Sequence, residues 1–149
     1  MSLFLQVIPV EKAISIVRSI APRMETEEIS LTDAEGRILA RDAPAGIDIP
    51  GFDRSIVDGY AVIARDTHGA SETIPAMLTL TGRIAMGGGA EREVHPGESV
   101  YIPTGGMLPP GADAVVMIEN TERIQDDVLI MRPAAAGENV LKRGEDFTA

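Results

Sequence analysis

Glycine and proline constrain this chain more than any other feature, because they limit the length of every regular element. The 149 residues include 15 Gly and 10 Pro, well above the combined share of about 12% in an average protein. Proline interrupts helices and central strands, and glycine permits the tight turns between them. We therefore expect many short elements joined by turns, and no long helix.

The hydrophobic core is expected to be aliphatic. Hydrophobic residues make up 44% of the sequence, which is enough for a folded core. Aromatic residues are scarce; they are Phe4, Phe52, Tyr60, Tyr101 and Phe147. Val, Ile, Leu, Met and Ala must therefore fill most of the interior.

The composition also restricts the kinds of metal site. There is no cysteine, which excludes disulfides, thiolate catalysis and cysteine-ligated zinc or iron–sulfur sites. His68 and His95 lie among glycine, proline and polar residues, without the spacing of a shared metal site. We interpret both as exposed loop residues, so a metal would bind to oxygen ligands.

The net charge of −10 opposes binding to nucleic acid or to anionic membranes, since both need summed positive charge. No apolar segment approaches the roughly 20 residues of a membrane span, and residues 1–9 lack the features of a signal peptide. We expect a cytoplasmic protein with neither nucleic acid nor a membrane as a partner.

The N-terminal part of the sequence predicts one amphipathic helix and little other regular structure. Apolar residues recur with helical spacing from Val10 to Ile20, and Pro22 is expected to stop the helix. The alternating segment Glu28–Leu31 predicts a short strand. Asp33 is a candidate cap for a single turn that ends near Gly36.

From residue 46 onward the pattern changes to short strands separated by turns, with a lobe boundary between Ala43 and Asp53. We expect the tail from residue 134 to return to the N-terminal lobe. The predicted fold is α+β: a mixed lobe of residues 1–45 and 134–149, and a mainly antiparallel β lobe of residues 46–133. The predicted strands are Ile56–Val57, Tyr60–Ile63, Ala76–Ile84, Ser99–Ile102, Ala114–Ile118 and Val128–Met131.

Polar and charged residues are densest in the segment Pro50–Ala61, which reads PGFDRSIVDGYA. Its carboxylates could bind a divalent cation such as Mg²⁺, or orient or deprotonate water. Alternatively, Asp58-Gly59 could form a type I′ turn between two strands, with Gly59 at positive φ. The residues alone leave both interpretations open.

Two further segments combine glycine with polar residues. In Tyr101–Asp113 a predicted strand leads into Thr104-Gly105-Gly106, where backbone N–H groups and the threonine hydroxyl could bind an anion. A structural turn is equally compatible with this spacing. The segment Gly137–Asp146 mixes a basic pair with carboxylates, which by itself is typical of a solvated charge run.

Together, these segments resemble the signature sequences of the molybdenum insertases, the MoeA and gephyrin E-domain family. The similarity is carried by PGFDRSIVDGYA, by IPTGGMLPPGADAVVMIE (Ile102–Glu119) and by GENVLKRGED (Gly137–Asp146), in the family's order and spacing. It covers the chain from about Val10. The resemblance implies a transferase that moves molybdate onto the dithiolene of adenylylated molybdopterin and releases AMP and molybdenum cofactor, assisted by Mg²⁺.

The resemblance also implies roles for particular residues. The positions that match residues linked to activity in the family are Asp58, Thr104 and Asp146, which are the candidate catalytic residues. Ser55 and Gly105 are candidates for substrate binding. Asp58 is also the candidate Mg²⁺ ligand, near the pyrophosphate of the substrate.

Family members are longer than this chain and have a molybdopterin-binding domain and a C-terminal β domain downstream. The resemblance therefore implies an N-terminal fragment, inactive alone, that supplies half of a site in a homodimer. A molybdopterin adenylyltransferase is the expected pathway partner. The alternative is a stand-alone, non-catalytic binding or assembly module with the same fold.

Overall fold

A computed structural model describes residues 7–20 and 24–149, which form two compact units, Met1–Ala43 and Pro44–Ala149. In the first unit, helix α1 spans Val10–Ile20, as predicted. Glu11 in its first turn and Arg18 in its last turn both favour the helix dipole. None of the residues of α1 is buried. The predicted stop at Pro22 lies outside the described residues.

The prediction of a strand at Glu28–Leu31 is wrong. The chain instead forms a short 3₁₀ helix at Leu31–Asp33, because a strand needs a hydrogen-bonded neighbour and the described part of this unit supplies none. Asp33 ends that helix and does not cap the next turn. That turn is closed by the Arg37 N–H, which donates to the Ala34 carbonyl oxygen at 3.0 Å.

The second unit is a β structure with a mainly antiparallel six-stranded sheet, in agreement with the predicted α+β class. The sheet order is β5-β2-β4-β3-β7-β6, and only the β3–β4 pair is parallel. A separate antiparallel pair joins β1 to β8. The strands are β1 Arg54–Ser55, β2 Gly59–Val62, β3 Ala76–Arg83, β4 Glu98–Ile102, β5 Ala114–Met117, β6 Thr121–Ile124, β7 Asp127–Ile130 and β8 Val140–Leu141.

Five of the predicted strands agree with observed strands to within about two residues at each end. The strand placed at Ile56–Val57 is wrong, since β1 is Arg54–Ser55. Strands β6 and β8 were not predicted. The side chains of β6 are mostly exposed, so its sequence lacks the apolar alternation of a half-buried strand.

Apolar side chains cover both faces of the sheet. All four residues of β2 are buried, and alternate residues belong to different clusters: Tyr60 and Val62 to one, Ala61 to the other. Except for Tyr60, the buried hydrophobic residues of the described chain are aliphatic, as the composition predicts. Strand β2 is therefore buried on both faces between β5 and β4, and it follows Asp58 directly.

The C-terminal residues 134–149 belong to the second unit. Strand β8 pairs with β1, and the Gly144 N–H donates to the Pro50 carbonyl oxygen at 2.9 Å. Strand β1 supplies the hydrogen-bonding partner that β8 needs, and the predicted return of the tail to the lobe of residues 1–45 stays a prediction. Among the described residues, no helix has the length and apolar character needed to cross a membrane.

Candidate functional site

The Asp58-Gly59 dipeptide is not a hairpin turn. Gly59 begins β2, where it pairs with Ile102 and Met117, and it does not adopt a positive φ. A Cβ atom at Gly59 would lie 2.0 Å from the Val116 carbonyl oxygen. Glycine is required here because two backbones approach closely, and the type I′ turn interpretation is wrong.

Asp58 and Thr104, two of the predicted catalytic residues, are in direct contact. The Asp58 Oδ1 atom accepts hydrogen bonds from the Thr104 backbone N–H at 2.7 Å and from its hydroxyl at 3.1 Å. Both side chains are exposed. The Asp58 carbonyl oxygen accepts a bond from the Ile118 N–H at 3.0 Å, which fixes the backbone at this position.

A tight turn after β4 orients Thr104. The Gly106 N–H donates to the Pro103 carbonyl oxygen at 2.9 Å, and Gly105 has φ +80°, as a type II turn requires at its third residue. The Gly105 N–H donates to the Ser55 carbonyl oxygen at 2.8 Å. The amides of this turn are therefore satisfied within the protein, which favours the structural-turn interpretation over an anion-binding loop.

Ser55 lies beneath this contact. Its side chain is fully buried, and its hydroxyl donates to the Val57 carbonyl oxygen at 2.6 Å and accepts from the Val57 N–H at 3.2 Å. The hydroxyl therefore shapes the chain that leads into Asp58. The substrate-binding roles of Ser55 and Gly105 stay predictions.

The first and second signature segments are joined along β1. The Ser55 N–H donates to the Gly106 carbonyl oxygen at 3.0 Å, and the Leu108 N–H donates to the Asp53 carbonyl oxygen at 2.8 Å. On its other edge β1 pairs with β8, with Arg54 opposite Leu141. The short strand β1 thus lies between the other two segments and brings all three together.

Two carboxylates hold the third segment in place; we call Asp48, Asp53, Lys142 and Arg143 the tail clamp. Asp53 Oδ2 lies 2.8 Å from Lys142 Nζ, and Asp53 Oδ1 accepts from the Arg143 N–H at 2.8 Å. Asp48 Oδ2 accepts from Arg143 Nε at 2.6 Å. The basic pair is exposed but is not merely solvated, because both cations have carboxylate partners.

The tail clamp changes the acidity of its carboxyl groups. The hydrogen bond from Lys142, and then that from the Arg143 N–H, lower the pKa of Asp53. The backbone N–H of Ala149, followed by the Arg143 side chain, lowers the pKa of Asp48. Both carboxylates are therefore stabilised in their charged form by the folded tail.

Asp146, the third predicted catalytic residue, is held by its backbone. Its N–H donates to the Ile49 carbonyl oxygen at 2.9 Å, and its side chain is exposed. No hydrogen bond among the described residues joins its carboxylate to Asp58 or Thr104. The structure brings Asp58 and Thr104 together and places Asp146 in the neighbouring segment.

A metal at Asp58 would need ligands from elsewhere. The described residues contain no group of three or more His, Cys, Asp or Glu side chains able to hold an ion. Asp58 Oδ2 accepts no hydrogen bond from the described residues, so it is one available oxygen ligand. Mg²⁺ is often bound by one or two carboxylates together with substrate phosphates, and Asp58 fits such a partial site.

The tail clamp predicts a pH-dependent contribution to stability. Because its pKa is lowered in the folded state, the Asp53 carboxylate stabilises the fold above its unfolded pKa of about 4. This stabilisation is lost as the pH falls through the lowered folded-state pKa. We expect Asp53→Asn to reduce the free energy of unfolding by about 1 kcal/mol or less at about pH 7, since the pair is partly exposed. The difference should shrink progressively as the pH is lowered below about 4.

Urea unfolding of both proteins at about pH 7 and below about pH 4 measures this difference. Asp126→Asn is a matched control, because Asp126 is exposed and its side chain makes no hydrogen bond among the described residues. A destabilisation by Asp53→Asn that persists at low pH would contradict an ionic origin.

Comparison with known proteins gives one family for almost the whole chain. Residues 8–149 match the family described as "MoeA N-terminal region (domain I and II)". A Bacillus subtilis (strain 168) protein named molybdopterin molybdenumtransferase is 40% identical, over 93% of this chain and 33% of the relative. A Staphylococcus aureus (strain MSSA476) protein of the same name is 36% identical, over 95% of this chain and 34% of the relative. The chain thus spans about one third of the length of these relatives.

Solved structures show the same similarity. A crystal structure of a molybdopterin biosynthesis MoeA protein from Pyrococcus horikoshii OT3 matches with a TM-score of 0.79 and 38% identity, over 96% of this chain and 38% of that chain. A second Pyrococcus MoeA crystal structure matches with a TM-score of 0.69 and 43% identity, over 95% of this chain and 36% of that chain.

Proposed function

Because this chain belongs to the family of MoeA N-terminal regions, we propose that it is the N-terminal part of a molybdopterin molybdenumtransferase. The complete enzyme transfers molybdate onto the dithiolene of adenylylated molybdopterin. Cleavage of the phosphoanhydride releases AMP, and the other product is molybdenum cofactor. The contact between Asp58 and Thr104 carries this proposal for the chain's own residues, because it joins two signature segments at an exposed carboxylate.

In this proposal Asp58 acts on the phosphoanhydride side of the reaction. Thr104 occupies Oδ1 and holds the carboxylate in one orientation, which leaves Oδ2 available to the substrate. Oδ2 accepts a proton from water, and it would be the protein's carboxylate ligand for Mg²⁺ if the metal is bound there. When bound, Mg²⁺ supplies charge neutralisation to the phosphate oxygens.

Asp146 reaches the same site from the neighbouring segment. The tail clamp and the Asp146 N–H bond to Ile49 position its backbone. The two thirds of the relatives that lie outside this chain hold the pterin and molybdate. Two copies of the full-length protein form a homodimer in which each copy completes the other's site, and a molybdopterin adenylyltransferase supplies the substrate.

The proposal is tested by comparing the full-length protein with the 149-residue chain in a cofactor-formation assay. Adenylylated molybdopterin, molybdate and Mg²⁺ are supplied, and AMP and cofactor are measured. We expect the full-length protein to release AMP and cofactor in equal amounts, and the chain alone to form neither. Tight binding of adenylylated molybdopterin by the chain alone would contradict this division. A native polypeptide of about 16 kDa would support the stand-alone, non-catalytic alternative, whereas one of roughly three domains would support the proposal.

A further inference from the structure

A concave pocket of about 510 Å³ lies on the six-stranded sheet, and Tyr60 is the one lining residue that belongs to a signature segment. This volume is within the range of about 300–1,000 Å³ that is usual for small-molecule sites. The aromatic and charged residues of its lining are Tyr60 on β2, Arg83 on β3, Tyr101 on β4 and Arg123 on β6. None of the lining residues is acidic.

The two arginines give the pocket a positive lining in a strongly acidic chain. Neither Arg83 nor Arg123 forms a salt bridge with any residue that the structure describes, although the net charge is −10. Arg123 is held by one bond, from its Nε to the Gln125 carbonyl oxygen at 3.2 Å. Its terminal N–H groups remain available to an anion.

Aromatic contacts orient the other arginine. The Arg83 guanidinium carbon lies 4.5 Å from the centroid of the Tyr101 ring. The Tyr60 ring meets Tyr101 edge-to-face, with centroids 5.8 Å apart and an interplanar angle of 80°. Because Arg83 is exposed, the guanidinium face that points away from Tyr101 can stack on another flat group.

The backbone beside the pocket is irregular. The pairing of β3 with β4 shifts register between Leu80 and Gly82, and both residues line the pocket. Bulges of this kind occur frequently beside binding sites, where they redirect side chains. Here the irregularity immediately precedes Arg83.

We propose that this pocket binds a small organic phosphate that carries a flat ring. Arg123 binds the phosphate through its terminal N–H groups, and the ring stacks on the outer face of Arg83, which is supported by Tyr101. The proposal rests on the pocket lining and not on the proposed molybdenumtransferase function. The test measures ligand binding to the 149-residue chain and needs no enzymatic activity. A negative result would therefore leave the proposed molybdenumtransferase function untouched.

The chain offers a selective readout. It has two tyrosines and no tryptophan, and both tyrosines line the pocket, so intrinsic tyrosine fluorescence reports on this site. The probes are uridine monophosphate, uridine and inorganic phosphate. Uridine contains the same chromophore as its monophosphate. The loss of tyrosine fluorescence caused only by absorption of the exciting light can therefore be measured with uridine and subtracted.

We expect saturable quenching by uridine monophosphate with an affinity at least about tenfold higher than that for uridine or inorganic phosphate. Arg123→Gln should reduce the affinity for the monophosphate to that for uridine. Arg83→Gln should weaken binding of the monophosphate by about tenfold, and Arg83→Lys should restore only part of the loss because it lacks the flat guanidinium. Circular dichroism confirms that each variant is folded.

Arg65→Gln is the matched control, since Arg65 is exposed in the same unit and outside the pocket lining. It removes the same charge and should leave the affinity unchanged. Equal weakening by Arg65→Gln would show general charge attraction and overturn the proposal. Binding of inorganic phosphate as tight as that of the monophosphate, or the absence of saturable quenching, would also overturn it.

Discussion

Replacing Gly59 by alanine is expected to abolish most of the stability of the second unit. The new Cβ would lie 2.0 Å from the Val116 carbonyl oxygen and 2.9 Å from its carbonyl carbon. Both are backbone atoms of β5, which pairs with β2 along its length. The clash therefore cannot be relieved by rotation of a side chain. We expect a loss of more than about 4 kcal/mol, a large share of the stability of a small domain.

Urea unfolding followed by circular dichroism measures this loss. Gly46→Ala is the matched control, because Gly46 is exposed, has no atom within 4 Å of an added Cβ and does not adopt a positive φ. It should change stability by less than about 0.5 kcal/mol. If Gly59→Ala were as stable as Gly46→Ala, the close approach of β2 and β5 would be refuted.

Replacing Asp58 by asparagine in the full-length protein is expected to slow cofactor formation by about 100-fold or more. The amide oxygen of asparagine can still accept the bonds that Thr104 donates, so the local geometry is retained. The variant loses the negative charge and with it the ability to take a proton or to bind Mg²⁺ strongly. This prediction rests on the proposed function.

The measurement is the rate of AMP release and cofactor formation at saturating substrate, together with the unfolding midpoint of each protein. Asp126→Asn serves as the control, since Asp126 is an exposed aspartate in the turn between β6 and β7. It should leave the rate unchanged. A normal rate in Asp58→Asn would remove Asp58 from the reaction, whereas a lowered unfolding midpoint would indicate a structural role.

Sequence patterns predicted the positions of the helix and strands better than they predicted which strands pair with each other. The apolar spacing of Val10–Ile20 defined helix α1, and the apolar segments defined the central strands. The strand predicted at Glu28–Leu31 failed because alternation alone does not supply a neighbouring strand. The edge strand β6 was missed because its side chains are mostly exposed and its pattern is polar.

In the candidate site, too, the sequence identified individual residues, whereas the structure showed which of them are in contact. The signature segments identified Asp58 and Thr104, and the structure places them in contact. Asp53 and the basic pair of the tail clamp lie in signature segments, but their pairing could not be read from either segment alone. Arg83 and Arg123 belong to no signature segment, so no signal in the sequence marked these two residues as neighbours.

The sequence by itself determined helix α1, the short strands with their turns, the aliphatic core and the membership of the family. Only the tertiary structure decided that Gly59 is a point of close backbone contact and that β1 joins the three signature segments. It also decided that the amides of the Thr-Gly-Gly turn donate to other groups of the protein. The physical reason is the separation along the sequence of the residues that interact. Helical periodicity and turn chemistry depend on residues a few positions apart, whereas Asp58 meets Thr104 across 46 residues and Asp53 meets Lys142 across 89.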